Sequence, residues 1–131
     1  MSQENMEIVR AGIDAYNRGD WDALLKDATS DFEFDLSRAV GPTHGVFGRD
    51  QMKSLWSQFA EDWESVWVEP HDFIEAGEHV VVPWTMHAVG RDGIEVETRV
   101  TWTWTFRNGA VERVCMYQEL PEALEAAGLS E

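Results

Sequence analysis

The chain has 131 residues, the length of one ordinary domain. Hydrophobic residues make up 44% of it and aromatic residues 11%, which is enough for a packed core and excludes a disordered chain. The 25 acidic residues outnumber the 10 basic ones, and the resulting net charge of −15 repels phosphate backbones and anionic lipids. We therefore expect neither nucleic acid nor a membrane surface as a partner.

The cellular location is inferred from the N-terminus and the cysteine count. Residues 1–5 are polar and acidic and lack the apolar segment of a secretory signal. No apolar run approaches the roughly 20 residues of a membrane span. The single cysteine, Cys115, cannot form an internal disulfide and is interpreted as a buried structural thiol. We expect a cytoplasmic protein in a reducing compartment.

Helical periodicity predicts three helices in the first half of the chain. Residues 3–18 repeat apolar side chains at helical spacing, and Gly19 ends this first helix. Asp20 is the predicted N-cap of a short second helix that reaches Leu25. Residues 49–63 predict a strongly amphipathic third helix, with an apolar face made of Met52, Leu55, Trp56, Phe59 and Trp63.

Strands make up most of the remaining chain. Alternation of apolar and polar residues predicts a short strand before the third helix, at Phe32, Phe34 and Leu36. After that helix, short turns connect four predicted strands, at residues 66–75, 80–88, 94–107 and 110–118. Asn108-Gly109 between the last two is a type I′ hairpin signal. Pro121 opens a final short helix that Gly128 ends.

These elements predict one α+β domain over residues 1–131. Consecutive strands joined by short turns are antiparallel. One face of the strand at 94–107 is rich in tryptophan, and the other carries threonine, Glu97 and Arg99. The tryptophan face is expected to meet the helices. We predict a cone-shaped roll, in which a curved antiparallel sheet wraps around about three N-terminal helices and a short C-terminal helix follows.

Local motifs connect this order of elements with a known superfamily. They are YNRGDWDAL at 16–24, GRD at 48–50, AGEHVVV at 76–82, WTFRNG at 104–109 and ALEAAG at 123–128. Together they resemble the SnoaL-like branch of the nuclear transport factor 2-like superfamily, over essentially the whole chain. The resemblance implies a cystatin-like roll that encloses an apolar pocket, usually in a homodimer. Members include ketosteroid isomerases, scytalone dehydratases, limonene epoxide hydrolases and polyketide cyclases.

The resemblance also locates the isomerase positions in this chain. The helix-one tyrosine corresponds to Gly12, the base to about Leu36, and the acid on the sheet lies near Trp102. None of these side chains is ionisable, so we do not expect the isomerase mechanism. The fold alone does not assign another reaction.

Three residues are candidates for chemistry. His44 lies in the breaker-rich loop at 41–45, near the expected pocket mouth, and its usual pKa suits acid–base work. Asp35 alternates with Phe34 and Leu36, so it is an outward strand acid unless a bulge turns it inward. Tyr16 lies on the inward stripe of the first helix, where it either packs in the core or offers its hydroxyl to a ligand.

Aromatic and sulfur-containing side chains on the inward faces predict the lining of the pocket. Such a lining suits a flat hydrophobic ligand, although the same indoles also suit a filled core. The facing of the strand at 110–118 stays open, because an ideal turn puts Arg113, Cys115 and Tyr117 inward whereas a β-bulge puts Val114, Met116 and Gln118 there. The candidate ligand-binding residues are Tyr16, Phe34, Trp56, Phe59, Trp84, Met86, Trp102, Trp104, Met116 and Gln118.

Three functions remain under consideration. The first is a binder of a small hydrophobic molecule, the second a cofactor-independent isomerase, cyclase, dehydratase or hydrolase, and the third a dimeric scaffold. His71, His79 and His87 form no close ligand pair, so we expect no metal and no cofactor. A homodimer is expected through the outer sheet face, at Glu97, Arg99, Thr101 and Thr103.

Overall fold

The structure is a computed structural model that describes residues 2–38 and 44–129. Its four helices in this part of the chain are α1 Ser2–Arg18, α2 Trp21–Leu24, α3 Arg49–Asp62 and α4 Leu120–Ala126. The strands are β1 Ala28–Asp35, β2 Val46–Phe47, β3 Ser65–Pro70, β4 Ile74–Ala76, β5 His79–Val89, β6 Glu95–Arg107 and β7 Ala110–Tyr117. None of the helices described is both long and apolar enough to span a membrane.

The strands form one curved, unclosed sheet in the order β2-β1-β7-β6-β5-β3, and β4 pairs with β5 beside this path. The predicted α+β class is confirmed, but the sheet is mixed because β1 lies parallel to β7. The short-turn argument applies only to consecutive strands. The helix α3 lies between β1 and the strands that follow, and such a connection permits parallel pairing.

The two faces of the sheet carry different cores. On the inner face, α1, α2 and α3 enclose a large aromatic core that includes Val9, Phe34, Trp56, Trp102 and Trp104. On the outer face, α4 covers a smaller cluster made of Val81, Cys115, Tyr117 and Ala123. The sheet is therefore buried on both faces in its central part and not only against the N-terminal helices.

Two contacts fix α1 against the inner face. The Asn17 side-chain amide donates to the Val68 carbonyl at 3.1 Å and accepts from the Val68 N–H at 2.8 Å, so it completes the free edge of β3. One turn earlier, Gly12 lies under the Trp104 ring. A Cβ atom at this position would stand 2.7 Å from Cη2 of that indole, so the close approach requires glycine.

A β-bulge decides the facing of β7. Asn108 and Gly109 both have positive φ, at 53° and 82°, as a type I′ turn requires. The turn pairs Phe106 with Val111, but the next pair joins Thr105 to Arg113, which leaves one extra residue on β7. Val114, Met116 and Gln118 therefore face inward.

The helix α4 changes the expected outer face. Thr101 and Thr103 were predicted to lie on an open surface, yet they are only 2% and 5% exposed. Thr101 is paired with Tyr117 and Thr103 with Cys115, in the part of the sheet that packs against α4. Glu97 and Arg99, further along β6, remain exposed. Only this second half of the predicted surface is open to a partner.

Candidate functional site

A cavity of about 580 Å³ lies between the inner face of the sheet and the helices α1 and α3. Its volume is in the range of small-molecule sites. Nine of the ten candidate ligand-binding residues line it: Tyr16, Phe34, Trp56, Phe59, Trp84, Met86, Trp102, Met116 and Gln118. The tryptophans thus surround a space rather than fill the whole interior.

Aromatic rings pack edge to face at the inner end of the cavity. The Tyr16 ring lies 6.1 Å from that of Trp102 and 6.4 Å from that of Trp56, both in T-shaped geometry. The Trp84 and Trp102 rings are 4.1 Å apart. Such contacts lock the ring positions, so the wall has a defined shape before any ligand arrives.

The polar groups at this inner end are hydrogen-bond donors. Burial raises the pKa of Tyr16 to about 12, so its hydroxyl stays protonated at neutral pH. This hydroxyl makes no hydrogen bond within residues 2–38 and 44–129. The indole N–H groups of Trp84 and Trp102 are buried and equally without an acceptor there. A buried donor without an acceptor is unfavourable for the folded state.

The mouth of the cavity is more polar. Asp62 at the end of α3 and Val96 and Thr98 on β6 line it and are exposed. Nε2 of Gln118 donates to the Arg38 carbonyl at 3.2 Å and thereby fixes the amide at the rim. Sequence reasoning missed Asp62, Val96 and Thr98. All three follow the patterns of their own elements. Val96 and Thr98 continue the inward alternation of β6 back from Trp102, and Asp62 continues the helical spacing on from Phe59.

Trp104 is the tenth candidate, and it does not line the cavity. Its ring packs against Gly12 and borders a separate space of about 10 Å³, too small for a ligand. Phe34, Trp56 and Trp102 line both spaces and so separate them. Trp104 does not reach the cavity because it lies one inward position beyond Trp102 along β6.

Asp35, a catalytic candidate, faces away from the cavity. It is 6% exposed on the outer face, where Oδ2 accepts from Arg113 at 2.6 Å and Oδ1 accepts from the Ser37 hydroxyl at 2.6 Å. Burial alone raises the pKa of Asp35, but the hydrogen bonds from Ser37 and Arg113 outweigh it and lower the pKa below its usual value. Asp35 is therefore a paired structural carboxylate.

His44, the other loop candidate, is exposed and does not line the cavity. The preceding loop residues 39–43 lie outside the described part of the chain. Of the three catalytic candidates, only Tyr16 lies in the cavity wall. Within residues 2–38 and 44–129, no group of three or more histidine, cysteine or acidic side chains could hold a metal ion.

The family assignment follows from a sequence comparison that spans this site. The model of the SnoaL-like domain family matches residues 9–114, which include most of the cavity wall. The chain belongs to the SnoaL-like family. This confirms the predicted resemblance. No curated protein matches the sequence.

Solved structures similar to this SnoaL-like chain have the same fold. TerC, co-crystallised with polyporic acid, is 21% identical with a TM-score of 0.78, over 95% of this chain and 98% of its own. A putative polyketide cyclase from Xanthomonas campestris pv. campestris is 25% identical with a TM-score of 0.70, over 95% and 97%.

A third similar structure comes from Catenulispora acidiphila DSM 44928. It is a hypothetical protein with a ketosteroid isomerase-like fold in complex with trimethylamine. It is 22% identical with a TM-score of 0.72, over 94% of this chain and 93% of its own. Likeness at this level of identity identifies the fold, and the function has to be argued from the site.

Proposed function

We propose that this SnoaL-like protein binds a small hydrophobic molecule in the cavity. The observation that carries the proposal is the aromatic cavity of about 580 Å³ with preformed walls. Ligand sites are typically concave, mostly apolar and supplied with a few polar groups that fix orientation. TerC, which has a similar fold, was co-crystallised with polyporic acid, and this supports a small-molecule ligand for the present chain.

Binding is favoured over catalysis because the described part of the cavity lining carries little acid–base machinery. Among the described lining residues, the ionisable side chains are Tyr16 at the inner end and Asp62 at the mouth. A protonated tyrosine donates a hydrogen bond but does not accept a proton at neutral pH. His44 and Asp35, which a cofactor-independent isomerase or cyclase would have used, lie elsewhere.

A tryptophan-fluorescence titration tests the proposal. The panel consists of steroids, polyketides, terpenoids and flavonoids, and we expect saturable quenching by at least one class. Ala88 lies in the cavity wall, so Ala88→Leu should fill space and weaken binding. Val89→Leu, one residue along on the opposite face of β5, is the matched control and should leave binding unchanged. A flat response to the whole panel would refute the proposed function.

We also propose that two copies pair through the open part of the outer face. Trp67 on β3 is 46% exposed there, an unusual exposure for an indole. Glu97 and Arg99 lie two residues apart on the same face. A twofold axis can therefore place Glu97 of one copy opposite Arg99 of the other copy. Light scattering should give a dimer, and Arg99→Glu should weaken it. A wild-type monomer at micromolar concentration would overturn this pairing.

A further inference from the structure

His87 on β5 lies between two carboxylates on the outer face of the sheet. Its Nε2 is 3.1 Å from Oε1 of Glu69 on β3, and its Nδ1 is 3.3 Å from Oε2 of Glu97 on β6. The Trp67 ring stacks on the imidazole with a centroid distance of 4.2 Å and an angle of 14° between the two planes. Contacts from both neighbouring strands therefore hold the histidine ring in one orientation.

The protonation state that this arrangement requires follows from the two ring nitrogens of His87. An ionised carboxylate only accepts hydrogen bonds, and a neutral imidazole carries a proton on one nitrogen alone. Glu69 and Glu97 are therefore both paired only when the ring is an imidazolium cation. A cation also gains an attraction from the face of the stacked Trp67 ring. Loss of one proton leaves one of the carboxylates opposite a nitrogen lone pair.

The strands that flank β5 here supply the charged side chains around His87. Its same-face neighbours on β5 itself, Thr85 and Val89, are uncharged. Strand β3 contributes one carboxylate next to the exposed indole, and β6 contributes two carboxylates and a guanidinium, all on the outer face. We call this surface the His87 patch, and it consists of Trp67, Glu69, His87, Glu95, Glu97 and Arg99.

Protonation of His87 changes the charge balance of the His87 patch. The three carboxylates of the patch outnumber its one guanidinium by two when the ring is neutral, and an imidazolium reduces this excess to one. Under a twofold axis the patch faces its own copy, so an excess of negative charge repels itself across the interface. This repulsion is therefore weaker when His87 is protonated.

We propose that the His87 patch pairs with a second copy in its protonated form, so that formation of the dimer is coupled to the proton on His87. This inference rests on the pairing proposed above and adds how that pairing is regulated. His87 contacts Glu97 through Oε2, which leaves Oε1 for Arg99 of the other copy. Deprotonation breaks one of the two carboxylate contacts and increases the repulsion, so the dimer weakens as the pH rises.

Sedimentation equilibrium of the wild type at about pH 5.5 and about pH 8, toward the two ends of the range in which histidine titrates, tests the proposal. We expect the dissociation constant of the dimer to be about tenfold higher at the higher pH, because each of the two copies loses an ion pair. His87→Gln has no charge to lose and should reduce this ratio to about twofold or less. His87→Arg stays positive at both pH values and should keep the tight dimer at the higher pH.

The chain provides a matched control in His71. It lies on the same face, but its Nε2 contacts the Thr85 hydroxyl oxygen at 2.6 Å rather than completing a pair of carboxylates. His71→Gln should therefore keep the wild-type pH dependence. This comparison separates the proton on His87 from the change in charge of the whole chain. Circular dichroism of the three variants checks that the fold is kept.

The outcomes separate this inference from the pairing on which it rests. A wild-type dimer that is equally tight or tighter at the higher pH would overturn the coupling to the proton and leave the pairing intact. The coupling is also overturned if His87→Gln keeps the wild-type pH dependence, or if His71→Gln abolishes it. A wild type that is monomeric at micromolar concentration at both pH values would overturn the pairing, and this inference with it.

Discussion

A buried carboxylate on the outer face of the sheet and two buried indoles on its inner face differ in how their polar groups are satisfied. On the outer face, Asp35 accepts hydrogen bonds from Ser37 and Arg113, and the carboxylate is a fixed part of the fold. On the inner face, Trp84 and Trp102 bury donors that no described residue satisfies. A satisfied group stabilises the folded chain. A buried donor without an acceptor reduces that stability.

The largest contrast should come from the tryptophans on the two faces. Trp102→Ala removes an indole that is 4% exposed and touches several rings, so it should lower the free energy of unfolding by about 3–5 kcal/mol. Trp67→Ala removes an indole that is 46% exposed on the outer face and should cost about 1 kcal/mol or less. Urea unfolding of both variants measures the difference. If both variants lost the same free energy of unfolding, the contrast between the buried inner-face indole and the exposed outer-face indole would be wrong.

The next contrast lies within one outer-face ion network. Arg113 donates to Asp35 at 2.6 Å and to Glu33 at 2.6 Å, but Asp35 is buried and Glu33 is exposed. Asp35→Asn should cost about 1.5–3 kcal/mol, since it weakens hydrogen bonds to a buried charge. Glu33→Gln should cost about 1 kcal/mol or less. A larger cost for Glu33→Gln would show that burial does not set the strength of the pair.

The same carboxylate predicts a pH dependence with a definite sign. The pKa of Asp35 is lower in the folded chain than its ordinary value, because the hydrogen bonds from Ser37 and Arg113 outweigh the cost of burial. Its stabilising contribution is therefore complete above about pH 4, the unfolded pKa, and disappears as the pH falls through the lower folded value. The stability difference between wild type and Asp35→Asn should shrink on acidification below that pH. A difference that stays constant down to pH 2 would contradict this assignment.

Local periodicity predicted most of the cavity wall from sequence. Helical spacing placed Tyr16, Trp56 and Phe59 inward, and strand alternation did the same for Trp84 and Trp102. These patterns work because a side chain's direction repeats with the geometry of its own element. The fold class and the family followed from the order of such elements, and both are confirmed.

Long-range contacts were beyond the reach of the same patterns. Alternation placed Asp35 outward, but only the parallel pairing of β1 with β7 brings Arg113 over it. Alternation likewise gave Thr101 and Thr103 the correct face without revealing that α4 covers them. Both outcomes depend on residues far away in the chain, for which a single sequence has no local signal.

A smaller effect is expected where α1 meets the inner face. Gly12→Ala would place a Cβ atom 2.7 Å from Cη2 of Trp104, and such overpacking costs about 1–3 kcal/mol. Alanine's higher helix propensity offsets about 1 kcal/mol of this. We expect a net loss of about 1 kcal/mol in thermal or urea unfolding. Trp104→Phe removes the ring atom that this Cβ would contact, so in that background Gly12→Ala should be neutral or stabilising. If Gly12→Ala still lowers the free energy of unfolding there, the crowding does not come from Trp104.

The smallest effect should have the opposite sign and comes from Thr103. Its hydroxyl is buried on the outer face and has no hydrogen-bond partner within the described chain, and Thr103 does not line the cavity of about 580 Å³. Thr103→Val keeps the shape and removes the unsatisfied oxygen, so it should raise the free energy of unfolding by up to about 1 kcal/mol. Ligand binding should not change. The unsatisfied Thr103 hydroxyl should therefore affect stability alone, and a loss of ligand binding in Thr103→Val would contradict this.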